Sequence, residues 1–242
     1  ERVGEEWGTL IGRGFTYGPN GEILYRAASG GRYFYSRTTN KNLGNVLPDF
    51  TGGITSNMSY KNFDLALGFD FQKGGKYYSR TERYMDHSGL SLKTAGLNDK
   101  GNPKRDPVAS GGGVHIVGLL ETGTDSNGQP TSDGTVVDAY VEAVDLYNLG
   151  NLGNIYENNL HDASYIKLRS VRLNYNFDKE FVSKFNLTAA SLGFFANNVW
   201  LIDSELNWVD PSELERRGGI NWAEAGTLPQ TRSLGVNLKL TF

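Results

Sequence analysis

The chain has 242 residues, rich in glycine (31), tyrosine (13) and phenylalanine (12), a balance that favours strands and turns within one large β domain or two smaller ones. Its formal charge of -3, with basic residues scattered, leaves no footprint for nucleic acid. The absence of cysteine removes disulfides, thiolate nucleophiles and zinc-thiolate sites, and no run of eighteen apolar residues supplies a membrane-spanning helix.

Glu1-Arg2-Val3-Gly4 carries no methionine, basic n-region or apolar h-region, so no secretion signal is visible, and the chain reads as a piece of something longer. Residues 1–50 form a poorly regular lead-in. Thr9 to Tyr17 and Ile23 to Ala27 are candidate strands within it, joined by the turn Gly18-Pro19-Asn20-Gly21. Gly53 to Tyr60 alternates loosely through Ile54, Met58 and Tyr60. Phe63 to Gln72 then sets Phe63, Leu65, Leu67, Phe69 and Phe71 in one apolar row, with Asp64 and Asp70 opposite. Lys61-Asn62 is short enough for a tight turn, so residues 51–72 are expected to form an antiparallel hairpin.

Residues 73–163 make a long polar connection full of turn signals, such as Lys73-Gly74-Gly75 and Gly111-Gly112-Gly113. Val137, Tyr140, Val141, Val144 and Tyr147 at helical spacing predict a short helix over 136–149. A second hairpin is expected over 164–199. Val171, Leu173, Tyr175 and Phe177 share a face, whereas Ile166 to Arg169 break the phase, as a bulge or a strand end above a bilayer would. After a short connection, Ala190, Leu192, Phe194 and Ala196 face one way and Ser191, Gly193 and Asn197 the other, with Phe195 the exception on the polar side. A second long loop, 200–231, leads to a strand over 232–242. There Leu234, Val236, Leu238, Leu240 and Phe242 alternate with Gly235, Asn237, Lys239 and Thr241.

Alternating strands joined by alternately short and long connections predict an all-β fold: antiparallel strands forming part of a transmembrane β-barrel, with short periplasmic turns and long extracellular loops. Five strands cannot close a barrel, and open edges in lipid would leave backbone groups unsatisfied at several kcal/mol each, so further strands are required from elsewhere. A soluble β-sandwich that binds carbohydrate at a cell surface alternates in the same way and stands as the alternative.

Candidate chemistry is sparse. His87, His115 and His161 are far apart and read as solvated surface histidines. Asp125-Ser126-Asn127-Gly128 lacks the remaining ligand positions of a calcium loop and reads as an ordinary turn. No Ser-His-Asp order, phosphate loop or GxSxG occurs, so neither enzyme activity, a cofactor nor a metal is expected. Trp200, at a strand end, suits an interfacial aromatic girdle. Trp208 and Trp222, deeper in the second long loop, suit either a girdle or contact with a sugar, a peptide or a partner.

The run Asp162-Ala163-Ser164-Tyr165-Ile166-Lys167-Leu168-Arg169-Ser170-Val171-Arg172-Leu173-Asn174-Tyr175 resembles the signature strand of SusC/RagA-type TonB-dependent outer-membrane transporters. Further matches follow in order. Asn197-Asn198-Val199-Trp200 resembles a strand end of that family, and Asp210-Pro211-Ser212-Glu213 its "D-P-E" loop, with Ser212 a departure. Leu228-Pro229-Gln230-Thr231-Arg232-Ser233 leads into the last strand. Upstream, Leu47-Pro48-Asp49-Phe50, Tyr60-Lys61-Asn62-Phe63 and Gln72-Lys73-Gly74-Gly75 are also similar, and Val3-Gly4-Glu5-Glu6-Trp7-Gly8-Thr9 more loosely so.

The resemblance implies the C-terminal section of an energised importer of about 22 strands in the bacterial outer membrane, covered by a SusD-like surface lipoprotein and taking glycans or peptides. The plug domain and TonB-contacting box have no counterpart here. Expected partners are therefore the rest of the barrel with its plug, the TonB complex through that plug, the lipoprotein and outer-membrane lipid. Trp208, Trp222, Trp200 and Asp210 become candidate substrate or lid contacts. Leu234, Val236, Leu238, Leu240 and Phe242 resemble the signal read by the barrel-assembly machinery.

Overall fold

The computed structural model describes residues 4–206, 208–217, 220–226, 228 and 230–242, with the side chains of 215–217, 220 and 221 excepted. Glu1, Arg2, Val3 and Pro229 of the motifs above lie outside the described residues. The chain divides into two compact units.

One unit comprises Leu47–Tyr77, His161–Asn221 and Thr227–Phe242. Its centre is a five-stranded antiparallel sheet in the spatial order Ser233–Thr241, Ala189–Ser204, Tyr165–Asn176, Phe63–Lys73, Phe50–Tyr60. Residues directly opposite in adjacent strands project to the same face, so the register fixes the surface. Leu65 lies opposite Leu173, Leu173 opposite Phe194, and Phe194 opposite Val236. The next rung runs Phe63, Tyr175, Leu192, Leu238. Met58 and Ile54 continue the same face beside Leu65 and Phe69. All the apolar rows read from alternation thus fall on one side of one sheet.

That side is uncovered. Phe194 keeps 43% of its surface exposed, Leu238 60% and Val236 70%. The unit's buried apolar cluster, Tyr77, Ala163, Val209 and Leu214, contains no residue of the rows. A sandwich would press this face against a second sheet at about 10 Å spacing and hide it, so the sandwich alternative is corrected in favour of a partial barrel. Phe50–Tyr60 and Ser233–Thr241 are the end strands of the sheet, and the sheet is open.

The break in phase at Ile166 to Arg169 is a bulge. Leu168 pairs with Phe69 but Ser170 with Gly68, so Arg169 is the extra residue on that side. Toward the other neighbour, Leu168 pairs with Trp200 and Ser170 with Asn197, which leaves Asn198 and Val199 against Arg169 alone. Asn198 takes the left-handed conformation (φ 52°) that asparagine tolerates better than other non-glycine residues. These extra residues reset the two-residue period. Ile166 and Leu168 therefore stay on the apolar face with Val171, opposite Phe71 and Phe69, while Lys167 and Arg169 turn to the polar face.

Phe195 points to the polar face as its position in the row requires, opposite Gly235. A Cβ on Gly235 would lie 2.3 Å from the tip of the Phe195 ring, so the ring covers the bare backbone of its neighbour, as aromatic residues do beside strand glycines. The tight turn places Lys61 at φ 51°, and the connection after Asn176 holds a short helix, Lys179–Ser183.

The second unit comprises Glu1–Val46, Tyr78–Leu160 and Trp222–Gly226. Thr9–Phe15 pairs antiparallel with Arg37–Asn45. A mixed sheet has the order Val136–Val141, Val114–Leu120, Leu24–Ala28, Arg32–Tyr35, with the middle pair parallel. Its core is Tyr25, Ile116, Val137, Val141 and Leu146. The helix expected over 136–149 is corrected to a strand, Val136–Val141, followed by a single turn, Ala143–Leu146. Val137, Ala139 and Val141 alternate into the core and two of them are β-branched, so sheet pairing outweighs the helical spacing supplied by Tyr140, Val144 and Tyr147.

Candidate functional site

The polar face of the five-stranded sheet carries its main ionic cluster where the bulge turns Lys167 and Arg169 away from the apolar rows. Lys167 is 2% exposed, and its Nζ donates to Asp210 and, at 3.3 Å, to Ser212. Arg169 Nε donates to Asp70 at 2.5 Å, and its Nη1 reaches Glu213 and Asn198 at 3.4 Å. The loop ahead is held as well: Glu205 accepts from the Asp162 backbone N–H and sits 3.2 Å from His161 Nδ1. Three acidic residues of one loop, Glu205, Asp210 and Glu213, thus tie down to one strand and its lead-in.

Local sequence shapes the loop for this. Asp210 accepts from Ser212 N at 3.1 Å and Ser212 Oγ at 2.7 Å, and Pro211 opens the single turn Pro211–Glu213 with its fixed φ. Leu206, Val209 and Leu214 pack beneath with Tyr77 and Ala163. Each fully buried aliphatic side chain contributes about 1.5–3 kcal/mol, so the ion pairs select the loop's position while apolar burial supplies much of its stability. Burial alone would raise the Asp210 carboxyl. The hydrogen bonds from Lys167 and Ser212 outweigh it and hold Asp210 below the ordinary carboxylate value.

The predicted site residues are dispersed. Asp210 is engaged by Lys167 in the clamp. Trp208 stands between the tethers at Glu205 and Asp210 with 44% of its surface exposed. Trp200 lies opposite Leu168, on the apolar face, in the same two-residue phase as Ala190, Leu192, Phe194 and Ala196. Trp222 belongs to the other unit, on Ile220–Glu224. Leu234, Val236, Leu238 and Leu240 occupy the outward face of Ser233–Thr241, with Phe242 just beyond it. His161 is corrected from a solvated histidine: it is 7% exposed, with its ring centroid 5.5 Å from that of Tyr77. Among the described residues no group of three His, Asp or Glu side chains could hold a metal ion. Lys167 and Arg169 were missed as partners of the loop, and Glu205 as a partner of the strand's lead-in, because only the fold brings strand and loop together. The acidic Asp-Pro-Ser-Glu motif following a Lys-x-Arg strand was the available signal.

No family model matches the chain. Two TonB-dependent receptors of Formosa agariphila are similar to it. Receptor P26 is 28% identical over 208 residues, covering 83% of this chain and 18% of that protein. Receptor P3 is 23% identical over 230 residues, covering 93% and 19%. Among solved structures, the RagAB peptide importer in its open-open state matches with a TM-score of 0.55 at 16% identity, covering all of this chain and 24% of that one. Its closed-closed state matches with a TM-score of 0.53, also at 16% identity, covering 97% and 23%. This chain resembles a section of a SusC/RagA-type TonB-dependent transporter. It spans about a fifth of the length of the receptors it matches. The partial barrel is thus common to sequence pattern, register and structural neighbours, and the location that goes with it is the bacterial outer membrane. The relatives are named as receptors and importers, none as an enzyme.

Proposed function

We propose that the chain supplies wall and outer loops to an energised importer of glycans or peptides. The observation that carries this reading is the uncovered apolar face: five strands in register present leucine, phenylalanine and valine to the outside and aspartate, arginine, lysine and asparagine to the other side, the arrangement required between lipid and an aqueous lumen. The open edges call for further strands from the remainder of the barrel, and a plug with its TonB contact would deliver the energy. In this reading Trp200 belongs to the aromatic girdle. Trp208, on a loop fixed at both flanks, offers a ring to cargo or to a SusD-like lipoprotein lid, and Trp222 is a second candidate. Asp210 acts indirectly, by holding that loop. The row Leu234, Val236, Leu238, Leu240, Phe242 serves insertion by the assembly machinery.

The test is uptake of labelled oligosaccharides and oligopeptides by cells carrying the intact transporter, with and without TonB. TonB-dependent uptake of one class, reduced in Trp208→Ala at unchanged barrel abundance, is the expected result. Uptake indifferent to TonB would overturn the reading.

A further inference from the structure

The unit that contains residues 78–160 holds a charged cluster built around His115. This residue lies on Val114–Leu120, directly opposite Tyr140 of Val136–Val141, and the two rings stack at 4.7 Å with 7° between their planes. His115 Nε2 is 2.8 Å from an oxygen of Asp138, on the same strand as Tyr140. Its Nδ1 is 2.7 Å from an oxygen of Asp99, which belongs to the turn between Leu97 and Pro103. From the same turn, Lys100 Nζ sits 3.4 Å from the centre of the Tyr140 ring, and Tyr140 Oη donates to the second oxygen of Asp99.

Both nitrogens of one imidazole face carboxylate oxygens. An ionised carboxylate only accepts, and a neutral imidazole has a single N–H, so it can satisfy one of these carboxylates and not both. Only the imidazolium completes the arrangement. We propose that His115 is a proton-operated clamp: as an imidazolium it fastens the tip of the 97–103 turn to the sheet, and on losing its proton it can hold only one of Asp99 and Asp138, which loosens the tip.

The groups facing the ring are Asp99 from the turn and Asp138 and Tyr140 from the neighbouring strand, with Lys100 of the turn over the Tyr140 ring. The hydrogen bond to Asp99 pushes Tyr140 up to about 12, and the same bond lowers Asp99, so neither changes charge near neutrality. His115 is raised above its ordinary value, first by the bond to Asp138 and then by the charges of Asp99 and Asp138, which outweigh desolvation. A raised histidine contributes below its unfolded value of about 6.5 and stops contributing as pH climbs through the folded one. The clamp is therefore shut in mild acid and opens as pH climbs through the raised value.

Asn98 gives the turn a frame that does not titrate. Its side chain accepts from Lys100 N and Asn102 N and donates to the carbonyls of Gly111 and Gly113. Only the tip depends on the proton, so the change should be modest, about threefold in local opening, in keeping with solvent-exposed ion pairs.

Hydrogen exchange of the intact transporter in lipid nanodiscs tests this, reading peptides that cover 97–103 at pH 6 and pH 8.5 after correction for intrinsic exchange. Wild-type protection should fall by about threefold between the two pH values. His115→Gln should be low and flat across them. Asp138→Asn leaves a single carboxylate, which a neutral imidazole satisfies, so its protection should change little between the two pH values. Equal protection in wild type and His115→Gln at pH 6, or a wild-type profile flat after correction, would overturn the proposal.

Discussion

Arginine placed along the strand Ser233–Thr241 reads the two faces of the sheet as energies. The strand has nine residues, so its midpoint is Asn237, which points to the polar side. The outward residues nearest the midpoint are Val236 and Leu238, each one step of about 3.3 Å along the strand, or roughly 2 Å in depth at a tilt near 45°. Leu238 lies opposite Leu192 in the rung that runs through Tyr175 to Phe63, so its surroundings within the sheet are apolar throughout. Leu238→Arg and Val236→Arg should therefore each cost about 2–4 kcal/mol, the range for arginine at the bilayer midplane. Leu234→Arg and Leu240→Arg sit three steps from the midpoint, roughly 7 Å in depth, within an apolar band about 25 Å tall, so they should cost about half as much. Asn237→Arg should cost close to nothing. Equilibrium denaturant titration of the intact barrel in lipid vesicles, followed by tryptophan fluorescence and gel mobility, measures all five. An equal penalty at Asn237 and Leu238, or no gradient from Leu238 to Leu240, would refute the assigned facing.

Lys167→Met leaves Asp210 buried without its cation and should cost about 3–5 kcal/mol of loop or barrel stability, whereas Lys167→Met with Asp210→Leu should recover much of it; limited proteolysis near Trp208 reports the loop directly. Because Asp210 is held below its ordinary value, the clamp's contribution is present above about pH 3.9 and is lost as pH falls through the lowered value, so loop protection should be constant from pH 5 to 8 and drop only in stronger acid. Gly235→Ala drives a Cβ into the Phe195 ring and should cost about 1–3 kcal/mol in the same denaturant titration, a loss that Phe195→Ala relieves in the double variant. Asn198→Val, at φ 52°, should cost about 1–2 kcal/mol while Asn198→Gly is tolerated, as measured by the temperature at which the barrel's gel shift is lost.

The rows through Leu65, Leu173, Phe194 and Leu238 were legible because a two-residue period is local information. Each strand declared its outward face before any pairing was known. The loss of phase at Ile166 to Arg169 was legible only as a disturbance. Whether it marked a strand end or a bulge depends on Gly68 and Asn197 across the sheet, which sequence order does not bring near. The Lys167–Asp210 pair failed for the same reason, joining residues 43 apart. In the other unit, the parallel contact of Leu24–Ala28 with Val114–Leu120 spans still greater separation, and Val136–Val141 carried both periods at once. Tertiary pairing chose between them. Trp208 was recognisable as a loop residue, but the tethers that fix it became visible only with the register.

The central claim is that lipid, and not protein, meets the apolar rows. Because the chain contains no cysteine, single cysteines can be placed at each position from 234 to 240 of the intact transporter and spin-labelled without first removing others from this segment. Accessibility in a bilayer to oxygen, which concentrates in lipid, and to a water-soluble nickel chelate should then alternate with a period of two, oxygen prevailing at 234, 236, 238 and 240 and nickel at 235, 237 and 239. Low oxygen accessibility at all four leucine and valine positions would mean that protein covers that face and would contradict the account.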